Sequence, residues 1–145
     1  MSIVIAIDPG LSKCGVVIAD IKEKRVYEAV VIKSHLVLKY VKKKYQSEKN
    51  VQLLIGNGTG NKNYIKYLNQ FKPDLIIAEE KNSTYRAKQR DFDIFPLIGI
   101  KSFLPREIFI LNKNLDALAA LIIMEDFFKI KFDVCKNIKT KTWLK

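Results

Sequence analysis

Histidine is nearly absent from this chain: His35 is the only one in 145 residues. That argues against a zinc site of the usual His/Cys kind and against Ser-His-Asp or Cys-His nucleophilic catalysis. Cysteine is scarce as well. Cys14 and Cys135 cannot make a disulfide framework, and a reducing cytoplasm suits them. Long apolar runs are missing too. Ile3–Ile7 is broken by Asp8, which leaves it too short for a signal peptide, and nothing approaches the roughly 20 apolar residues of a membrane span. The expectation is a cytoplasmic protein with no membrane partner. Arginine is sparse, with only Arg25, Arg86, Arg90 and Arg106, so planar bidentate readout of bases is not the main mode of recognition.

Lysine is abundant instead. Lys+Arg number 26 against 15 Asp+Glu, a formal charge of +11 with a pI near 9.6. A domain this basic is expected to meet a polyanion, most often nucleic acid, through diffuse and salt-sensitive attraction to phosphates. A hydrophobic share of 48% and a charged share of 28% fit an ordinary globular domain, and 145 residues allow one core but not two.

Along the chain, Ser2–Ile7 reads as a strand buried on both faces and closes on the turn Asp8-Pro9-Gly10. Gly15–Asp20 and Arg25–Lys33, rich in Val, Ile and Tyr, continue it as an antiparallel meander. A basic helix, His35–Lys49, carries Lys39, Lys42, Lys43 and Lys44. The pattern then alternates: strand Val51–Ile55, the turn Gly56–Gly60, helix Asn63–Phe71, strand Leu75–Ala78 and a short helix over Thr84–Phe92. Pro96–Pro105 reads as loop. Asn114–Phe128 is apolar on nearly every side, the mark of a buried helix. The expected fold is a mixed α/β sheet, three antiparallel strands followed by parallel strand–helix units, with helices on both faces. It occupies residues 1–128, and a lysine-rich tail follows over 129–145.

Acidic residues stand where burial is otherwise the rule. Asp8 ends the first strand, Glu79 and Glu80 end the last, and Asp116 lies in the first turn of the buried helix. Taken singly, each has an ordinary explanation: a turn residue, solvated carboxylates, a partner for the helix dipole. Taken together they gather at the carboxyl edge of one sheet, where ligands of open α/β sheets bind. Carboxylates brought that close repel unless a cation lies between them, and all-oxygen donors point to Mg²⁺ or Mn²⁺. Two such ions would clamp the attacking and leaving oxygens of a phosphoryl displacement.

These segments also resemble a family. Ala6-Ile7-Asp8-Pro9-Gly10 through Gly15-Val16-Val17-Ile18-Ala19 is similar to the first hairpin of the ribonuclease H-like nucleases, in the branch of the RuvC Holliday junction resolvases and the YqgF proteins. Glu79-Glu80-Lys81-Asn82-Ser83-Thr84 resembles the YqgF pattern Asp-Glu-Arg-x-Ser-Thr. Leu115-Asp116-Ala117 through Ile123 is similar to the family's final helix, and Ile55-Gly56-Asn57-Gly58-Thr59 looks more like the YqgF-like domain of the Tex proteins. The resemblance implies a ribonuclease H-like sheet and a metal-dependent nuclease with Asp8, Glu80 and Asp116 as metal ligands and catalytic residues. Glu79, Lys81, Ser83 and Thr84 would support them, and Lys42, Lys43, Lys44, Arg86, Arg90 and Lys113 would bind nucleic acid. Of Glu79 and Glu80, the motif favours Glu80. The YqgF match implies processing of pre-16S ribosomal RNA.

A four-way DNA junction is the alternative substrate, and resolving one requires a dimer rather than a monomer. Two departures count against it: Gly56-Asn57 and Ala119 stand where a RuvC-type resolvase carries carboxylates. A nucleic-acid-binding module without catalysis is the reading from another class, served by the lysines, Tyr85 and Trp143. A weak likeness of Asp8-Pro9-Gly10 and Gly56–Gly60 to the phosphate loops of actin-like and sugar kinases meets the objection that 145 residues supply one lobe and such enzymes need two.

Overall fold

Ile3, Ile5 and Ile7 point to one side of the first strand, Val4 and Ala6 to the other, and all five are buried. A strand with this pattern must sit in the middle of a sheet covered on both faces. In the computed structural model, which describes residues 2–47, 50–58, 60–70, 74–79, 83–94, 115–134 and 141–143, it does. Strand β1 (Ile3–Asp8) pairs antiparallel with β2 (Lys13–Asp20), and β2 pairs antiparallel with β3 (Arg25–Lys33). On its other side β1 pairs parallel with β4 (Val51–Gly56), and β4 pairs parallel with β5 (Ile76–Ala78). The order β5-β4-β1-β2-β3 is the mixed sheet that the sequence predicts, three antiparallel strands followed by parallel strand–helix units.

Helices α1 (Ser34–Ser47) and α2 (Asn61–Asn69) cover one face. Val37, Val41 and Leu68 join Ile5, Ile7, Val16 and Leu53 in its core. Helix α4 (Leu115–Phe128) lies on the other face, with α3 (Ser83–Ile94) packed against it. Every residue of α4 from Ala117 to Glu125 is buried. The sheet takes one side and α3 the other, which explains why its sequence has no polar stripe. The one charge in this run, Glu125, accepts from Arg90 Nη2 of α3 at 2.9 Å and from the Phe132 amide at 3.0 Å.

The residues after α4 do not stand apart from the domain. Phe132 is in the core beside α4. Asp133 exchanges backbone hydrogen bonds with Val26 and Lys24, and a sixth strand, β6 (Lys141–Trp143), extends the sheet parallel to β3. The other elements match the sequence pattern to within about three residues at each end. The second helix starts at Asn61 because Gly60, at φ 88°, turns the chain into it, and Asn61 is tied back to Asn57 at 3.0 Å. The loop expected over Pro96–Pro105 lies outside the described residues. No helix among those described is long and apolar enough to cross a membrane.

Candidate metal centre

Side chains of a strand alternate between its two faces. Val4 and Ala6 of β1 pack beneath α4, so Asp8, the last residue of that strand, falls on the same face. On β2 the corresponding series is Lys13, Gly15, Val17 and Ala19, of which Val17 and Ala19 pack beneath α4. The register places Asp8 opposite Gly15, which brings their Cα atoms to about 5 Å.

Gly15 decides what lies above this pair. A Cβ there would come within 1.7 Å of the Asp116 carbonyl oxygen and 2.8 Å of the Ala117 nitrogen. The first turn of α4 therefore rests directly on the bare backbone of β2, level with Asp8. The fold thus delivers two carboxylates, Asp8 and Asp116, to one face of the sheet at one height. Both are half-buried. Asp116 Oδ2 is shut away from solvent and, among the described residues, accepts no hydrogen bond of good geometry. It faces the Lys13 ammonium at 2.9 Å, so the contact is an ion pair rather than a directed hydrogen bond.

The turn that follows Asp8 is tied down from three directions. Gly10 O accepts from Ser34 Oγ of α1 at 3.0 Å and from Tyr64 Oη of α2 at 3.4 Å. The Gly10 amide donates to Cys14 Sγ at 3.5 Å, and that sulfur lies 3.5 Å from Tyr64 Oη. Burial first, then the contact with Cys14, pushes the Tyr64 phenol up to about 12, so it stays protonated and able to donate. Gly10 has no room for a side chain, since a Cβ would meet Lys13 O at 2.1 Å.

The other acidic candidates separate here. Ile7, Ile55 and Ile77 lie level across β1, β4 and β5, so all three strands end at the same edge. Glu79, just past β5, is exposed and lines a cleft of about 390 Å³ with Arg86 of α3 and with Ile123, Asp126 and Phe127 from the far half of α4. Glu80, Lys81 and Lys113 lie outside the described residues, and Ser83 and Thr84 open α3. Among the described residues no three His, Cys, Asp or Glu side chains form a group that could hold a metal. Asp8 and Asp116 are the two acidic candidates that the fold places on one face of the sheet.

The basic candidates divide. Lys42 and Lys43 are exposed on α1, on the face of the sheet opposite α4. Lys44 pairs with Glu28 and stands 5.6 Å over the Tyr40 ring. Arg86 pairs with Asp126, and Arg90 turns inward to Glu125 and, at 2.8 Å, to the Phe132 carbonyl. These two arginines join α3 to α4 and its following turn.

Hard oxygen donors, with one carboxylate oxygen sequestered and already facing a cation, fit Mg²⁺ or Mn²⁺ in kind. Sequence reasoning singled out Asp8 and Asp116, which the fold places on one face of the sheet, but not their neighbours Lys13, Gly15, Ser34 and Tyr64. Only Gly15 left a signal, a residue without a side chain inside a β-branched strand, which marks a close approach of another backbone.

No protein-family profile and no curated protein matches this sequence. Among solved structures it is similar to T. thermophilus RuvC in complex with a Holliday junction substrate. The TM-score is 0.48 and the identity 12%, over 92% of this chain and 100% of that one.

Proposed function

We propose that this chain is a divalent-metal-dependent endonuclease that hydrolyses phosphodiester bonds of structured nucleic acid. The observation that carries the reading is the placement of Asp8 and Asp116 on one face of the sheet, held at one level by the contact of Gly15 with the first turn of α4. In this reading Asp8, Asp116 and Glu80 hold the cation, and Glu79, Lys81, Ser83 and Thr84 support them. A bound divalent ion supplies an activated water and stabilises charge on the leaving oxygen. The chain's own contribution is positional. The anchored Gly10 turn fixes Asp8, and the β2 backbone fixes Asp116. Lys42, Lys43 and Lys113, within a chain of +11, attract the phosphate backbone from a distance. The preferred substrate is a ribosomal RNA precursor, on the strength of the Glu79-Glu80-Lys81-Asn82-Ser83-Thr84 segment. A four-way DNA junction, the substrate in the similar RuvC structure, is the second reading and requires a homodimer.

The test is cleavage of a structured precursor RNA, a single-stranded RNA and a four-way DNA junction, at fixed salt, with Mn²⁺ or with EDTA. Wild type is expected to cut only with Mn²⁺. D8N and D116N should lose about a hundredfold or more of that activity while still binding, since even residues that only support metal ligands contribute 10–100-fold. Cutting of the junction alone, by a protein that sediments as a dimer, moves the substrate to DNA. Tight, salt-sensitive binding with no cutting of any member overturns the reading and leaves a binding module.

A further inference from the structure

We propose that Lys13 is the resident counter-ion of Asp116: its ammonium occupies the carboxylate oxygen that a divalent cation needs, and so sets the cation concentration at which the site fills. The inference rests on the reading of Asp8 and Asp116 as cation-binding carboxylates.

Both ends of the pair are rooted in rigid parts of the fold. Lys13 opens β2, which is hydrogen-bonded to β1 on one side and β3 on the other. Asp116 is held by the contact of its own carbonyl with Gly15, two residues along the same strand face. Nζ therefore reaches Oδ2 at 2.9 Å with little freedom in either backbone. Among the described residues that oxygen has no hydrogen-bond partner, and it is shut away from solvent, so the ammonium is what balances its charge. The Lys13 side chain is itself 40% exposed and carries a flexible four-carbon stem, so it can swing into water when displaced. An ammonium and a divalent cation held against one carboxylate repel each other. A divalent ion that takes Oδ2 of Asp116 therefore competes with Lys13 for it.

The competition is measurable without any substrate. Free Mn²⁺ is followed by electron paramagnetic resonance as it is titrated into the full chain, for wild type, K13Q, K13R and D116N, at 20 and 300 mM KCl. Relief of a partly exposed ion pair should tighten Mn²⁺ binding by K13Q about two- to fivefold at low salt. K13R, which keeps the charge, should stay close to wild type. The gap between K13Q and wild type should shrink at high salt, because screening weakens the pair; a merely structural role for Lys13 would show no such dependence. Mn²⁺ binding by K13Q equal to or weaker than wild type overturns the inference and leaves the carboxylate reading standing. Mn²⁺ binding by D116N as tight as wild type overturns the carboxylate reading and the inference with it, as does the absence of binding to both wild type and K13Q.

Discussion

The carbonyl of Asp116 sits directly over the backbone of Gly15, so close that no other residue fits at position 15 without displacing one of the two chains. This contact joins the first turn of α4 to the first hairpin. Because Gly15 is paired with Asp8, it also sets the height of Asp116 relative to Asp8.

Replacing Gly15 with alanine should therefore act on stability and site together. The added Cβ must push α4 off the sheet or bend β2, and overpacking of that kind costs about 1–3 kcal/mol. Urea denaturation of G15A should show a loss in that range, and Mn²⁺ binding at Asp116 should weaken in the protein that remains folded. Wild-type stability and binding in G15A would mean that the approach of α4 is looser than the structure has it.

A second expectation concerns Glu125, buried against α3. Its carboxylate is shared by Arg90 and the Phe132 amide, and the side chains are 8% and 13% exposed for Glu125 and Arg90. Removing Glu125 takes away the close carboxylate partner of Arg90 and leaves its buried guanidinium with the Phe132 carbonyl at 2.8 Å and Asp93 at 3.9 Å. E125A is expected to lose about 3–5 kcal/mol. The double variant E125L/R90M should lose less than E125A alone, because it buries no charge. Urea denaturation of the three proteins measures the difference, and a double variant no more stable than E125A would refute it.

Acid stability should bear the mark of Asp20, which closes the β2–β3 turn. Burial alone would raise its carboxyl, but the amides of Glu23, Lys22 and Ser2 donate to it and hold it below its ordinary value. A carboxyl lowered by folding contributes stability that is fully present above its unfolded value near 3.9 and is lost as pH falls through the lower folded value. Wild type should therefore lose stability as pH falls below about 4. D20N should be less stable at neutral pH, with a shallower decline in acid. Thermal melts between pH 2.5 and 7 test this, and parallel curves for the two proteins would exclude Asp20 as the source.

The sequence alone determined the order and kind of the elements from β1 to α4, because the signals involved are local, but not the strand β6 within the basic tail. Ile3–Ile7 is apolar without interruption, and Val51–Ile55 is apolar but for Gln52, since both their faces are covered; Ala117–Met124 lacks a polar stripe for the same reason. Asp8 and Asp116 were legible as carboxylates placed where burial was due. What the sequence could not supply was the registry between distant segments. Whether Asp8 faces α4 or α1 depends on strand parity within a paired sheet, and its match with Gly15 depends on where β1 and β2 come into register. The ion pair of Lys13 with Asp116 spans about a hundred residues of chain and leaves no periodicity to read. The arginines show the same division: their charge is plain from composition, but only the packing of α3 on α4 turned Arg90 inward to Glu125. Local pattern is set by which face of an element is buried; partnership across the chain is set by close packing, which exists only once the core has formed.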